Sequence, residues 1–289
     1  MSLTLAVAGK GGTGKTTFAA LAVKYLREHG LTPILAIDAD PSSNLNMALG
    51  MELHDTVGQI REDTRDEVTS GTFQPGISKP DWFRYQVEQC IEESDDVDLL
   101  AMGRPEGPGC YCAANHMLRQ AIDQVGDSYR AVVIDNEAGM EHISRQTTRA
   151  VDWLFVVTDT SQRGLVAAEQ IMKLLDSLGD RIEHVGLVVN RVDGELPEAF
   201  RRRLDALGAP LLGVLPQDPA ISRLDGEGLP LTTVDDSSGV YAAVKAVLDA
   251  NLALPTPTTR PNTGLLKSDA APSEHDRFAL QQPDKEEAC

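Results

Sequence analysis

Hydrophobic and polar positions along this chain alternate between two patterns. Seven short runs are almost continuously apolar and rich in Val, Leu and Ile: LTLAVA (3–8), PILAID (33–38), VDLLAM (97–102), AVVID (131–135), WLFVVTD (153–159), VGLVVN (185–190) and LLGVL (211–215). Runs of that length and composition predict strands buried on both faces. Between them lie stretches with helical spacing: TTFAALAVKYLREHG, closing on Gly30; GLVAAEQIMKLLDSLG, closing on Gly179; and VYAAVKAVLDANLAL, ending near Leu254. A glycine just past such a stretch stops a helix because it accepts the left-handed backbone there. Strand and helix alternating in this way predict an α/β fold, a doubly wound and mostly parallel sheet, in one domain over residues 1–254. Ligands of such sheets sit at the carboxyl ends of the strands. Residues 255–289 are rich in Pro, Thr and charge and lack the apolar material for a core, so a disordered tail is expected.

Composition narrows the function class. With 42% hydrophobic and 24% charged residues, the chain has the make-up of a soluble globular protein. No apolar run is long enough to span a bilayer, and the opening MSLTLAVAGK enters a strand rather than a basic-then-apolar leader. With only four cysteines, a cytoplasmic location with reduced thiols is expected. The net charge of −18 argues against nonspecific nucleic acid or an anionic membrane as partner.

The strongest chemical motif is GKGGTGKT, Gly9 to Thr16, placed between the first strand and the first helix. That context is what a P-loop requires. Gly9, Gly11, Gly12 and Gly14, with Thr13 between, let successive N–H groups turn inward around phosphate oxygens, and the helix start adds positive partial charge. Lys15 is expected to reach the β- and γ-phosphates and the Thr16 hydroxyl to bind Mg²⁺, with Thr17 following on the same turn. The chain therefore reads as a P-loop NTPase using ATP and Mg²⁺. Asp38, Asp40, Asp135, Asn190 and Pro216 stand at successive strand ends. Singly, an Asp or Asn there is most often a turn residue; as an ordered series they point to one site.

Two thiols, Cys110 and Cys112, stand one residue apart in GPGCYC. In an extended segment, residues i and i+2 share a face roughly 6.6 Å apart along the chain. That suits a metal better than a disulfide, whose geometry is tighter. Two thiolates nevertheless leave a tetrahedral ion half-coordinated. Either further ligands come from elsewhere, or the pair is no metal site.

Lys10 directly after Gly9 makes KGGTGKTT resemble the deviant Walker A motif of the MinD, ParA and nitrogenase iron-protein superfamily. The resemblance implies that Lys10 reaches nucleotide bound by a second subunit. It further implies that Asp38 and Asp40 form a first switch, with Asp40 orienting the attacking water. Asp135 matches the Walker B aspartate, which with Thr16 and Asp38 surrounds Mg²⁺. Gly139 matches a hinge, and Asn190 and Pro216 the positions flanking adenine.

Within that superfamily, iron proteins carry a second cluster cysteine after the Walker B aspartate. DNEAGMEHISR has none, and His142 stands at about that place. The tail shows no basic amphipathic membrane helix of the MinD kind. The acidic balance disfavours DNA binding of the ParA kind. GRPEGPGCYC (103–112) and IDNEAGMEHISR (134–145) instead resemble the CooC-type ATPases, which assist nickel insertion into carbon monoxide dehydrogenase. That resemblance implies a homodimer in which two Cys-x-Cys pairs hold one Ni²⁺ or Zn²⁺, with carbon monoxide dehydrogenase or a similar nickel enzyme as client. AANHMLRQAID (113–123) reads as a helix whose start would favour the thiolates. The alternatives are a ParA/MinD-like positioning ATPase without metal handling, and an iron–sulfur electron-transfer ATPase.

Other residues take plainer readings. Cys90, in YQVEQCIEE, fits a helical pattern as a core thiol, and EESDDVD (92–98) reads as a solvated helix end. Cys289 reads as the last residue of the tail, and His116 and His142 read as surface or structural histidines, with auxiliary metal ligation as the minority reading for all three.

Overall fold

Side chains on successive strand residues point to opposite faces of a sheet, and here both faces are apolar. Leu5, Val7, Ile34, Ala36, Val133, Phe155 and Val157 build one core layer, while Ala6, Ala8, Leu35, Ile37, Val132, Ile134 and Val156 build the other. A sheet with two such faces needs helices on both, which is the doubly wound arrangement expected.

The structure, a computed structural model, describes residues 2–71, 76, 78–103, 126–137, 151–178 and 182–254. Strands β1 (Leu3–Ala8), β2 (Ile34–Ala39), β3 (Val97–Ala101), β4 (Ala131–Asn136), β5 (Val151–Thr158), β6 (Ile182–Val192) and β7 (Leu211–Pro216) form one sheet. Their order is β3-β2-β4-β1-β5-β6-β7, with every neighbouring pair parallel. Helices α1 (Lys15–Glu28), α2 (Leu45–Leu49), α7 (Pro219–Glu227) and α8 (Gly239–Asn251) cover the first layer. Helices α3 (Val57–Ser70), α4 (Lys79–Gln89), α5 (Gln162–Leu178) and α6 (Glu198–Asp205) cover the second. β1 lies in the middle of the sheet, between β4 and β5, so the loop after it opens into the crevice where strand order reverses.

Helix α1 explains why that loop has a firm anchor. Phe18 to Val23, Tyr25 and Leu26 are all essentially inaccessible, so the helix is buried nearly all round rather than along one stripe. Its first turn is unusual in another way. Side chains cap α3 (Thr56), α4 (Ser78), α7 (Asp218) and α8 (Ser238); α1, like α2 and α6, has no side-chain cap, and it alone of these starts at a left-handed glycine, Gly14. Its first N–H groups are left for a ligand.

Three local expectations meet the structure differently. Cys90 is a core thiol as read: it closes α4, donates Sγ–H to the Val87 carbonyl at 3.2 Å, and burial pushes its pKa up to about 12. The acidic run 92–98 is not a helix end, because α4 stops at Gln89. It is a turn that folds back on edge strand β3, where Glu92 and Leu99 exchange both backbone hydrogen bonds at 2.9 Å. That return blocks the open edge of the sheet. The last helix ends at Asn251, short of Leu254: Leu252 turns extended, as expected a few residues before Pro255.

The predicted stop at Gly179, the helix at 113–123, the hinge Gly139 and the tail 255–289 lie outside the described residues. Leu252 is buried, so a clean truncation falls after Leu254. Deleting 255–289 is expected to leave the melting temperature and ATP turnover within experimental scatter of the full chain. A truncated protein melting several degrees lower would show that the tail packs on the domain.

Candidate active site

The loop between β1 and α1 is shaped by two close approaches. Gly9 has φ +152, and a Cβ there would stand 2.1 Å from the Val157 carbonyl oxygen of β5. Gly14 has φ +93, and a Cβ would stand 2.1 Å from Asn190 Nδ2 of β6. Both positions exclude any side chain. Thr13, fully buried, places its hydroxyl between the Lys10 and Val157 carbonyls at 2.8 and 3.1 Å. Asn190 Nδ2 donates to the Thr13 carbonyl at 2.9 Å. The strand ends thus hold the loop before any nucleotide arrives.

Around this loop the structure brings together most of the residues read from sequence. Lys15 opens α1 and is 6% exposed, with no hydrogen-bond or ion-pair partner for its ammonium among the described residues. Thr16 Oγ1 donates to Asp135 Oδ2 at 2.5 Å. Asp135 and Asp38 pair in register on β4 and β2, each 1% exposed. Asp38 accepts from the Asp40 N–H at 3.0 Å and the Leu45 N–H at 2.8 Å, which folds the switch back on the strand. Asp40, just past β2, accepts from the Ser42 N–H at 2.9 Å. Lys10 is partly exposed, its Nζ 3.5 Å from the Gly11 carbonyl, while Gly11 and Gly12 are exposed and Thr17 is half-buried. Pro216 ends β7, paired with Val192, two residues past Asn190 at the same end of the sheet. Cys110, Cys112, His116, His142 and Cys289 lie outside the described residues.

Two residues escaped the sequence reading. Asn136, fully buried, donates from Nδ2 to the Val7 carbonyl at 2.9 Å and ties β4 to β1 at the loop's root. Arg191 donates from Nη1 to the Gly12 carbonyl at 2.8 Å. A strand-end Asn was a visible signal for the first; nothing local marks the second.

The electrostatics ask for a cation beside the carboxylates. Burial pushes Asp135 up to about 7, with the Asp38 charge adding to it; the Thr16 hydroxyl and Lys15 oppose the shift and lose. Burial likewise lifts Asp38 to about 6, against hydrogen bonds from Leu45 and Asp40. Asp135 Oδ1 is buried with no hydrogen-bond partner among the described residues. A hard, oxygen-seeking divalent ion fits this donor set, with Thr16, Asp135 and Asp38 as the residues to hold it directly or through water.

The sign of the pH effect follows. Both folded pKa values lie above the ordinary carboxylate value, so between about pH 4 and 7 the folded chain binds more protons than the unfolded chain. Apo stability from these two groups falls as pH rises through that window, and a divalent ion offsets the loss. The rise in melting temperature on adding Mg-ADP is therefore expected to be larger at pH 8 than at pH 5.5, and the difference to shrink in Asp135→Asn. Equal shifts at both pH values would contradict this account.

A glycine loop running from a central strand into a buried, uncapped helix, with a buried lysine and a hydroxyl–aspartate pair at its mouth, defines a P-loop NTPase. The chain belongs to the MinD/ParA family of P-loop ATPases: the CobQ/CobB/MinD/ParA nucleotide binding domain matches residues 4–231. An uncharacterized ATP-binding protein of Methanocaldococcus jannaschii is 42% identical over 245 residues, 85% of this chain and 96% of that protein. The carbon monoxide dehydrogenase accessory protein CooC of Rhodospirillum rubrum is 33% identical over 242 residues, 78% of this chain and 88% of that protein. In fold, the chain is similar to the septum site-determining protein MinD of Pyrococcus horikoshii, solved with Mg-ADP, at TM-score 0.63 and 23% identity, covering 87% of this chain and 97% of that one. Among the described residues, no helix is long and apolar enough to cross a membrane, and no three or more His, Cys, Asp or Glu side chains are grouped to hold a metal ion.

Proposed function

We propose that this ATPase is a cytoplasmic metallochaperone whose nucleotide state controls closure of a homodimer and the handling of Ni²⁺ or Zn²⁺ by Cys110 and Cys112. A nickel enzyme of the carbon monoxide dehydrogenase kind is its client. The observation that carries this reading is the 33% identity to a carbon monoxide dehydrogenase accessory protein over 88% of its length. The Cys-x-Cys spacing in GPGCYC adds to it. The Met102 N–H donates to the Asp38 carbonyl at 2.8 Å, so the end of β3 stands beside the switch, and the thiols follow it in the sequence.

In this reading the loop amides and Lys15 bind the β- and γ-phosphates, and Lys10 reaches the nucleotide of the partner subunit. Asn190 and Pro216 bound the adenine from neighbouring strand ends. Thr16, Asp38 and Asp135 hold Mg²⁺, which supplies positive charge to the transferring phosphoryl oxygens. Asp40 accepts a hydrogen bond from the attacking water and takes up its proton as the bond from water to the γ-phosphorus forms and the bond from that phosphorus to the bridging oxygen breaks, releasing ADP. ATP that binds the closed dimer better than the open form drives closure, and hydrolysis reverses it.

A second reading keeps the ATPase cycle and drops the metal: a positioning ATPase, favoured by the likeness to MinD. Metal analysis of anaerobically purified protein separates the two. Nickel or zinc near one ion per two chains supports the chaperone; no metal, with none taken up on titration, supports the switch. Iron with sulfide would favour an electron-transfer ATPase over both.

Asp40→Ala tests the hydrolytic role. ATP affinity is expected to stay within about threefold of wild type while turnover falls about 10²-fold, the lower end for losing a positioned base. Lost affinity with unaltered turnover would contradict the assignment.

A further inference from the structure

We propose that Arg191 is a positioning residue for the phosphate cradle, setting the P-loop for nucleotide from the end of β6. This deepens the nucleotide-site reading and rests on it. The first observation is in the strand. β6 loses register against β7 between Val189 and Val192, so Asn190 and Arg191 leave the ladder, as at bulges that re-aim side chains near functional sites. The second is in the backbone. Arg191 has φ +57, a left-handed conformation rare for a long side chain, and the Asn190 Oδ1 holds it there by accepting the Arg191 N–H at 2.9 Å.

The consequence of that bend is a pair of contacts to consecutive loop carbonyls. Arg191 Nη1 donates to Gly12 O at 2.8 Å, and Asn190 Nδ2 donates to Thr13 O at 2.9 Å. In a trans peptide the C=O and the following N–H point opposite ways. Drawing both carbonyls toward β6 therefore turns the amides of Thr13 and Gly14 away from it. Among the described residues, the Thr13 N–H makes only a long 3.3 Å hydrogen bond to Lys10 O. Amides fixed in this way form an anion-binding concavity before the ligand arrives, so less ordering opposes binding. Asn190 by itself already braces the loop from a buried position, whereas Arg191 is exposed and adds nothing to the core. Its strained backbone makes sense as a device acting on the loop.

The test uses the full chain and three proteins: wild type, Arg191→Met, which keeps the stem but loses the donors, and Arg191→Lys, which restores one. Affinities for Mg-ADP and Mg-pyrophosphate are measured by calorimetry, together with steady-state ATP turnover and the apo melting temperature. Arg191→Met is expected to weaken ADP and pyrophosphate in step, about tenfold each, as for loss of one charge-assisted hydrogen bond. The loss should fall on KM rather than kcat, and Arg191→Lys should recover most of it. Weakened ADP with unaltered pyrophosphate would overturn the proposal by placing Arg191 on the nucleoside. Unaltered affinity for both, with or without a lower melting temperature, would overturn it in favour of a bracing role. Failure of wild type to bind ADP would sink the nucleotide site itself, a result distinct from either.

Discussion

Lys15→Ala will abolish measurable ATP turnover, lowering kcat/KM about 10³-fold, the scale seen when one preorganised electrostatic group is removed from a charged transition state. The structure gives the reason. Lys15 is 6% exposed at the start of a buried helix, and its ammonium has no carboxylate or carbonyl partner among the described residues. A buried cation without a partner is costly unless a ligand supplies one. Removing it should leave the apo fold intact and even relieve that cost, so the melting temperature without nucleotide should not fall. Nucleotide affinity should fall with turnover. Steady-state kinetics and ADP calorimetry check both, and near-normal turnover in Lys15→Ala would overturn the P-loop assignment.

The second large effect concerns the thiols and belongs to the proposed metallochaperone. If four thiolates from two chains hold one ion, stoichiometry approaches one metal per dimer, and metal promotes dimerisation without ATP. A metal that binds only the dimer stabilises it by about 2.7 kcal/mol when free metal is a hundredfold above its dissociation constant. Cys112→Ser leaves two thiolates per dimer, so tight binding should fail as fully as in the Cys110/Cys112 double variant. ATP binding should survive in all of them, because the P-loop follows β1 whereas the thiols follow β3 in the chain. Metal titration followed by sedimentation reads both quantities. One ion per monomer, retained by Cys112→Ser, would sink the shared site and turn attention to His116 and His142.

Much of the fold was legible without coordinates. Each apolar run became a strand within a few residues of its expected bounds, since continuous Val, Leu and Ile over so short a span has few other uses. The phosphate loop was equally plain, because its residues are consecutive and glycine carries its own conformational meaning. Asp38 and Asp135 were visible near strand ends, but that they stand in register follows from β2 and β4 being neighbours, which only the sheet order decides. The acidic run 92–98 was misread as the end of a helix because its partner, Leu99 on an edge strand, follows a tight turn with no glycine or proline to announce it.

What the sequence by itself determined is the class of sheet, the place of the loop on it and the donor types at the strand ends, all of which depend on local period and spacing. What only the tertiary structure decided is which groups meet. Asn190 reaches Thr13 across 177 residues and Arg191 reaches Gly12 across 179, the latter by way of a left-handed turn that no local pattern encodes. The raised pKa values of Asp38 and Asp135 are likewise products of burial, which depends on everything packed around a carboxylate and not on its neighbours in the chain.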